Sequence, residues 1–156
     1  MKRTEVFIGR LLKYGTLLST YGLVLTVLLQ IFARFFLNQA PAWTEEASRL
    51  FFIYGLSFAA GLALKNQYYV HWDLMYNKLP ARGKRFLDIG IPLLIFLLFG
   101  TMAAFSIPLM IQGFAETSPS MRMNMAFAFF SMFLMSAGIC FYASMDLRKT
   151  FFKPKS

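Results

Sequence analysis

Residues 34–49 read Arg-Phe-Phe-Leu-Asn-Gln-Ala-Pro-Ala-Trp-Thr-Glu-Glu-Ala-Ser-Arg. Pro41 followed by Thr44 predicts a turn and then a helix start, with Thr44 as the N-cap residue. The uncharged run at residues 50–64 gives only about 22 Å of helix at ~1.5 Å per residue, whereas a hydrocarbon core needs about 30 Å. A spanning helix must therefore begin among the charges before residue 50. Charged side chains near the membrane are costly unless paired, so we expect a pairing site formed by Arg34, Glu45, Glu46 and Arg49.

The rest of the chain is divided by its charges into long apolar segments. It has 156 residues, of which 58% are hydrophobic and 15% are charged. Uncharged windows cover residues 14–33, 50–64, 89–115 and 123–145. Such windows predict an all-α integral membrane protein, a single membrane domain with four transmembrane helices and short interfacial amphipathic helices. The predicted spans are roughly residues 14–37, 45–64, 88–115 and 123–146.

Basic residues are distributed unevenly between the two predicted sides of the membrane. Three of the 16 lysines and arginines, Arg34, Arg49 and Arg122, lie on one side, which leaves 13 at the termini and in the middle connection. The positive-inside rule then predicts a multi-pass protein of the bacterial inner membrane with cytoplasmic N- and C-termini. The net charge of +9 indicates attraction to membrane lipids rather than to nucleic acid.

Small residues follow a helical spacing in the second predicted span. Gly55, Ala59 and Ala63 recur every four residues, and Gly61 lies on the adjacent row. Small residues let another helix approach closely in a membrane. We therefore predict close helix packing at these four positions. The neighbouring helix belongs either to this chain or to a partner subunit, and the spacing favours neither.

The segment at residues 66–80 is the most polar internal part of the chain, and we predict a short amphipathic helix there, at the cytoplasmic membrane surface. Tyrosine and tryptophan rings are favoured at that depth. The interfacial candidates are Tyr68, Trp72, Asp73, Leu79 and Pro80, with the proline ending the helix.

Several kinds of chemistry have no candidates in the sequence. The four windows contain no Asp, Glu, Lys, Arg or His, whereas a proton-coupled carrier ordinarily needs such a group at mid-membrane depth. A single histidine cannot supply two ligands to a haem, and no phosphate-binding glycine loop or nucleophile–base pair stands out. We therefore predict no enzymatic activity and no catalytic, substrate-binding, metal or cofactor site in this chain. For Arg34, pairing with an acid and reaching for the lipid headgroups remain open alternatives.

Three segments of the sequence, occurring in a fixed order along the chain, resemble one known protein family. Arg34-Phe-Phe-Leu-Asn, Trp43-Thr-Glu-Glu-Ala-Ser-Arg and Tyr69-Val-His-Trp-Asp-Leu-Met-Tyr-Asn-Lys-Leu-Pro resemble the DctQ-like small permease subunit of TRAP (tripartite ATP-independent periplasmic) transporters. His71 and Asp73 are spaced slightly differently from the typical family form. The number of spans, the length and the cytoplasmic termini agree with that family.

The resemblance implies a role as the small scaffold subunit of a sodium-coupled importer of an organic acid, of the sialic acid or C4-dicarboxylate class. Its expected partners are a large elevator-type permease subunit, which would hold the substrate and the coupling sodium, and a periplasmic substrate-binding protein. By this analogy, five residues would either hold the outer ends of the first two helices together or meet the large subunit: Arg34, Trp43, Glu45, Glu46 and Arg49.

Two other functions are compatible with four helices. A self-associating exporter of small molecules would need a membrane-embedded glutamate, and the near-membrane acids Glu45 and Glu46 lie at a helix end. A membrane anchor subunit of another complex, such as a redox enzyme, would lack haem-ligating histidines in this chain.

Overall fold

The computed structural model describes residues 2–36, 41–65 and 80–152. Within them the chain forms four helices, each long and apolar enough to cross a membrane. Their bounds are α1 Lys2–Phe36, α2 Ala42–Lys65, α3 Ala81–Gly113 and α4 Ala126–Phe152. The all-α membrane fold predicted from hydropathy is confirmed.

The helices begin and end at some residues that the sequence did not indicate. The basic N-terminal segment and the first span form one continuous helix, α1. Thr44 is not an N-cap residue, because α2 already begins at Ala42. The Thr44 amide and hydroxyl both donate to the Pro41 carbonyl, at 3.1 and 2.7 Å, so Thr44 closes the first turn. Of the predicted interfacial residues, Tyr68, Trp72, Asp73 and Leu79 lie outside the described residues, whereas Pro80 occupies the N-cap position of α3.

Helices α2 and α4 form the middle of the bundle. α1 packs against α2, α2 against α4, and α4 against α3. We call one end of the bundle the turn end, where α1 and α3 finish and α2 and α4 start, at Ala42 and Ala126. The opposite end, with Lys2, Lys65 and Phe152, is the termini end.

Small residues on α1 receive aromatic rings from α2. A methyl group added at Gly15 would lie 2.8 Å from the Phe58 ring, and one added at Gly22 would lie 2.6 Å from the Phe51 ring. Because both distances are shorter than van der Waals contact, any side chain at either glycine would displace a ring. The α1–α2 contact therefore depends on the absence of side chains at these positions.

A three-helix junction lies nearer the termini end. Gly61 of α2 lies next to Gly138 of α4, and Leu12 of α1 packs against both; a methyl group added at Gly61 would lie 3.1 Å from Leu12 Cδ1. Buried serine hydroxyls inside the bundle donate to carbonyls of their own helices, as Ser57 does to the Ile53 carbonyl at 2.7 Å. The interior is thus held by close packing of small residues, as in helical membrane proteins.

Large apolar side chains cover the outside of the bundle. On α1, Leu18 and Phe35 are 73% and 80% exposed, whereas Ser19 and Thr26 on the opposite side are buried. A soluble helix would have the reverse distribution. This arrangement places the apolar outer faces in contact with lipid or with another membrane protein.

Candidate functional site

The connection between α3 and α4 folds into a compact turn at the turn end of the bundle. Thr117 and Asn124 form an isolated antiparallel bridge, and the Ser118 amide donates to the Met123 carbonyl at 2.8 Å. Arg122 has a φ of 53°, a left-handed conformation that is uncommon for residues other than glycine. We call residues 116–124 the α3–α4 turn.

Glu46, in the first turns of α2, binds this turn through its carboxylate. One carboxylate oxygen, Oε2, accepts hydrogen bonds from the Ser118 hydroxyl and from the Met121 amide at 2.6 Å. The other oxygen, Oε1, accepts a longer bond from the Ser120 amide at 3.3 Å. Hydrogen bonds to an ionised acceptor are stronger than those between neutral groups. We call this set of contacts the Glu46 latch.

The other predicted charged residues do not join the latch through ion pairs. Arg49 lies one helical turn beyond Glu46 and acts favourably on its carboxylate through space. Neither Arg34 nor Arg49 is within 4.0 Å of a carboxylate oxygen in the described part of the chain. Arg34, Glu45 and Arg49 are exposed. Within the described residues, the Glu46 carboxylate instead accepts hydrogen bonds from a turn that lies 72 or more residues away in the sequence.

Trp43 lies beside these charges in the first turn of α2 and is 43% exposed. An indole ring at a helix end suits the boundary between hydrocarbon and headgroups, where tryptophan is enriched in membrane proteins. The exposed ring leaves this position accessible to lipid or to a partner protein.

The four predicted packing residues of α2 have different surroundings. Gly61 is buried at the three-helix junction, and Gly55 faces Ser19 of α1, with 3.4 Å between an added methyl group and Ser19 Cβ. Ala59 lines a crevice of about 230 Å³ between α1 and α2. Ala63 is half-buried.

Two glycines of α3, Gly90 and Gly100, have no close neighbour: a methyl group added at either would meet no atom within 4 Å. An added methyl group would have a neighbouring atom within 4 Å at Gly9, Gly15, Gly22, Gly55, Gly61, Gly113 and Gly138. Among the described helices, α3 packs closely against α4 alone. The two glycines therefore leave an open, shallow surface on α3.

Sequence reasoning missed Ser118, Ser120 and Met121 as partners of Glu46, and Tyr54 as a link between helices. The Tyr54 hydroxyl donates to the Phe127 carbonyl at 2.7 Å, which joins α2 to the start of α4. The Ser-Pro-Ser run at residues 118–120 signals a turn, and no local pattern indicates which carboxylate such a turn binds. Within residues 2–36, 41–65 and 80–152, no group of three or more His, Cys, Asp or Glu side chains is placed to hold a metal ion.

Comparison with known proteins relates the chain to a transporter family. A family model described as tripartite ATP-independent periplasmic transporters, DctQ component, matches residues 23–152. The chain is also similar to a protein of Haemophilus influenzae described as a TRAP transporter small permease protein, with 19% identity over 145 residues that cover 93% of this chain and 88% of that protein. The matched region includes the Glu46 latch and all of α2 and α3.

Proposed function

The chain belongs to the DctQ component family of tripartite ATP-independent periplasmic transporters, and from this membership we propose that it is the small scaffold subunit bracing a large, elevator-type permease subunit. The complex would import an organic acid of the sialic acid or C4-dicarboxylate class together with sodium. A periplasmic substrate-binding protein would deliver the substrate. The family membership confirms the resemblance drawn from residues 34–80.

The distribution of charge supports a bracing role rather than a transporting one. No Asp, Glu, Lys, Arg or His lies between residues 14 and 33, 50 and 64, 89 and 115, or 123 and 145. The Glu46 carboxylate, in the first turns of α2, is engaged by the α3–α4 turn. We therefore assign the substrate and coupling-sodium sites to the large subunit, and no cofactor or enzymatic activity to this chain.

The orientation we propose follows the basic residues. Among the described residues, most of the lysines and arginines lie toward the termini end, so that end would face the cytoplasm of a bacterial cell. The turn end, with the Glu46 latch and Trp43, would face the periplasm. In this orientation the latch lies on the side from which the substrate-binding protein approaches.

We place the contact with the large subunit on α3. Seven glycines are points of helix contact within the described chain, whereas Gly90 and Gly100, both on α3, have no neighbouring atom within 4 Å of an added methyl group. Ala104 is exposed one turn beyond Gly100, which completes a small-residue spacing that favours close helix approach. A glycine inside a helix also lowers helix stability by about 1 kcal/mol relative to alanine. A close neighbour from another subunit would explain why α3 has glycine at both positions despite this cost.

Gly100→Leu is expected to reduce recovery of the complex severalfold while leaving expression of the chain unchanged. The substitution starts from open space, because an added methyl group at Gly100 has no neighbouring atom of this chain within 4 Å. It would, however, hold a packed partner helix away from α3. The measurement is the amount of large subunit that co-purifies with an affinity-tagged variant.

Leu25→Phe is the matched control, because Leu25 is 67% exposed on the outer face of α1 and the substitution also adds bulk. We expect normal co-purification for this control. If Gly100→Leu also retains full co-purification, α3 faces lipid and the large subunit binds elsewhere.

The scaffold role itself is tested by reconstitution. Vesicles that contain only this chain are expected to show no uptake of sialic acid or C4-dicarboxylates, whereas vesicles with the co-purified complex, sodium and the binding protein take up one of them. Transport by this chain alone would contradict the scaffold role and favour a self-associating carrier.

A further inference from the structure

An open crevice lies between α1 and α2 on the outside of the bundle. It has a volume of about 230 Å³, and its lining includes Thr16, Thr20, Leu23, Phe52, Leu56 and Ala59. The Thr16 and Thr20 hydroxyls donate to carbonyls of their own helix, each at 2.8 Å. Because both hydroxyls already have acceptors, the lining requires no polar ligand. The crevice therefore suits an apolar occupant.

The crevice lies at the depth of the hydrocarbon core. Its lining falls within residues 16–23 and 51–59, inside the uncharged windows 14–33 and 50–64. These two stretches extend about 10–12 Å along the helix axes at ~1.5 Å per residue. Water is absent at that depth, and an unfilled space would leave the lining side chains without contacts. A helix of another protein, about 10 Å across, is too wide for this space, whereas a single hydrocarbon chain is not.

Two lysines lie at the end of the crevice that is nearer the termini end. Lys13 precedes Thr16 and Thr20 by three and seven residues, which places it on the same side of α1. Lys65 of α2 reaches across to α1, since a methyl group added at Gly9 would lie 3.1 Å from Lys65 Cε, and Gly9 is one turn before Lys13. Both lysines are exposed, and among the residues that the structure describes neither ammonium is within 4.0 Å of a carboxylate oxygen. The crevice therefore ends beside two positive charges.

We propose that this crevice binds a phospholipid with an anionic headgroup, whose phosphate lies beside Lys13 and Lys65 and one of whose acyl chains lies between α1 and α2. Along the helix axes the lysines precede the lining residues Thr16 and Ala59 by about 5 and 9 Å, a separation that the glycerol part of a lipid spans. Basic pockets between transmembrane helices bind anionic lipid headgroups in this way. The lipid would fill the outer side of the α1–α2 contact. The site is independent of the transport role proposed above.

Native mass spectrometry of the full-length chain, as recovered from membranes and titrated with defined lipids, tests the headgroup contact. Anionic phosphatidylglycerol is expected to bind more tightly than zwitterionic phosphatidylethanolamine. Lys13→Gln and Lys65→Gln are each expected to weaken phosphatidylglycerol binding about fivefold, the effect of one lysine near anionic lipid. Arg10→Gln is the matched control, because Arg10 is exposed and lies about 100° around α1 from Gly9, and it is expected to leave binding unchanged.

Thr20→Phe tests the crevice itself. Thr20 is exposed and lines the crevice, so the added ring can occupy the space of the acyl chain, and binding of both lipids is expected to fall severalfold. Leu18→Phe adds similar bulk at the same depth on the other side of α1, where Leu18 is 73% exposed, and is expected to bind lipid normally. Equal affinity for the two lipids, or equal losses in the lysine variants and Arg10→Gln, would overturn the headgroup contact. Unchanged binding by Thr20→Phe, or a density map with a side chain of another subunit in the crevice, would overturn the acyl-chain site.

Discussion

Gly113→Ala is expected to destabilise the chain by about 1–3 kcal/mol, the usual range for adding atoms to a tightly packed site. Gly113 is the last residue of α3, and the added methyl group would lie 2.6 Å from the Ala126 nitrogen and 2.9 Å from the Ala126 Cα. Both are backbone atoms at the start of α4, so they cannot rotate away as a side chain can. Relief requires α3 and α4 to separate next to the α3–α4 turn.

The higher helix propensity of alanine opposes this clash, but its effect on stability is smaller. Alanine is more stable than glycine in a helix by up to about 1 kcal/mol, and less at the last residue, where the helix frays. Thermal unfolding of the purified chain in detergent measures the net result, which we expect to be destabilising.

Gly100→Ala is the matched control on the same helix. An added methyl group at Gly100 meets no atom of the chain, so the propensity gain acts alone and the chain is expected to lose no stability. Equal Tm values for Gly113→Ala and Gly100→Ala would show that the α3–α4 contact is looser than these distances indicate.

The helices were predictable because their signal is local. A run of uncharged residues longer than the hydrocarbon core predicts a span wherever it occurs, and α3 and α4 required nothing else. The start of α2 was less clear. Thr44 is a good N-cap residue type, but the Pro41 carbonyl accepts the first hydrogen bonds of the helix, so helix geometry begins earlier than composition indicates.

The site was predicted only in part because its contacts are distant in sequence. Glu46 stood out as a near-membrane acid, and the nearby arginines were its obvious partners by charge. In the structure its partners are neutral groups, the Ser118 hydroxyl and the amides of Ser120 and Met121. Backbone amides carry no sequence signature, and whether a turn presents them depends on packing of α4 beside α2. No local pattern could supply that information.

Glu46→Ala is expected to release the α3–α4 turn from α2. The substitution removes all three hydrogen bonds to residues 118–121, and the turn then depends on its own contacts, such as that from the Ser118 amide to the Met123 carbonyl at 2.8 Å. We expect the Met121 and Ser120 amides to lose their protection against hydrogen–deuterium exchange, which reports local opening of this kind. Recovery of the complex should fall if the turn also supports assembly.

Glu46→Gln is expected to have a smaller effect than Glu46→Ala, for a geometric reason. Ser118 and Met121 donate to the same carboxylate oxygen, so the amide oxygen of glutamine can accept both bonds when it occupies that position. The amide nitrogen then faces the Ser120 N–H, and that bond, the longest at 3.3 Å, is lost. Exchange should therefore increase at Ser120 and change little at Met121, which distinguishes the two oxygens experimentally.

Glu45→Ala separates the latch from the general effect of removing an acid at a helix start. Glu45 lies in the first turn of α2, directly before Glu46, and is exposed. Both substitutions therefore remove one negative charge from near the favourable end of the helix dipole. If the dipole dominates, the two alanine variants would show the same exchange in the α3–α4 turn. If the hydrogen bonds dominate, as three donors on one carboxylate lead us to expect, Glu45→Ala leaves the turn protected and Glu46→Ala does not. Equal exchange in both variants would mean that the charge, and not the contact, holds this end of the bundle together.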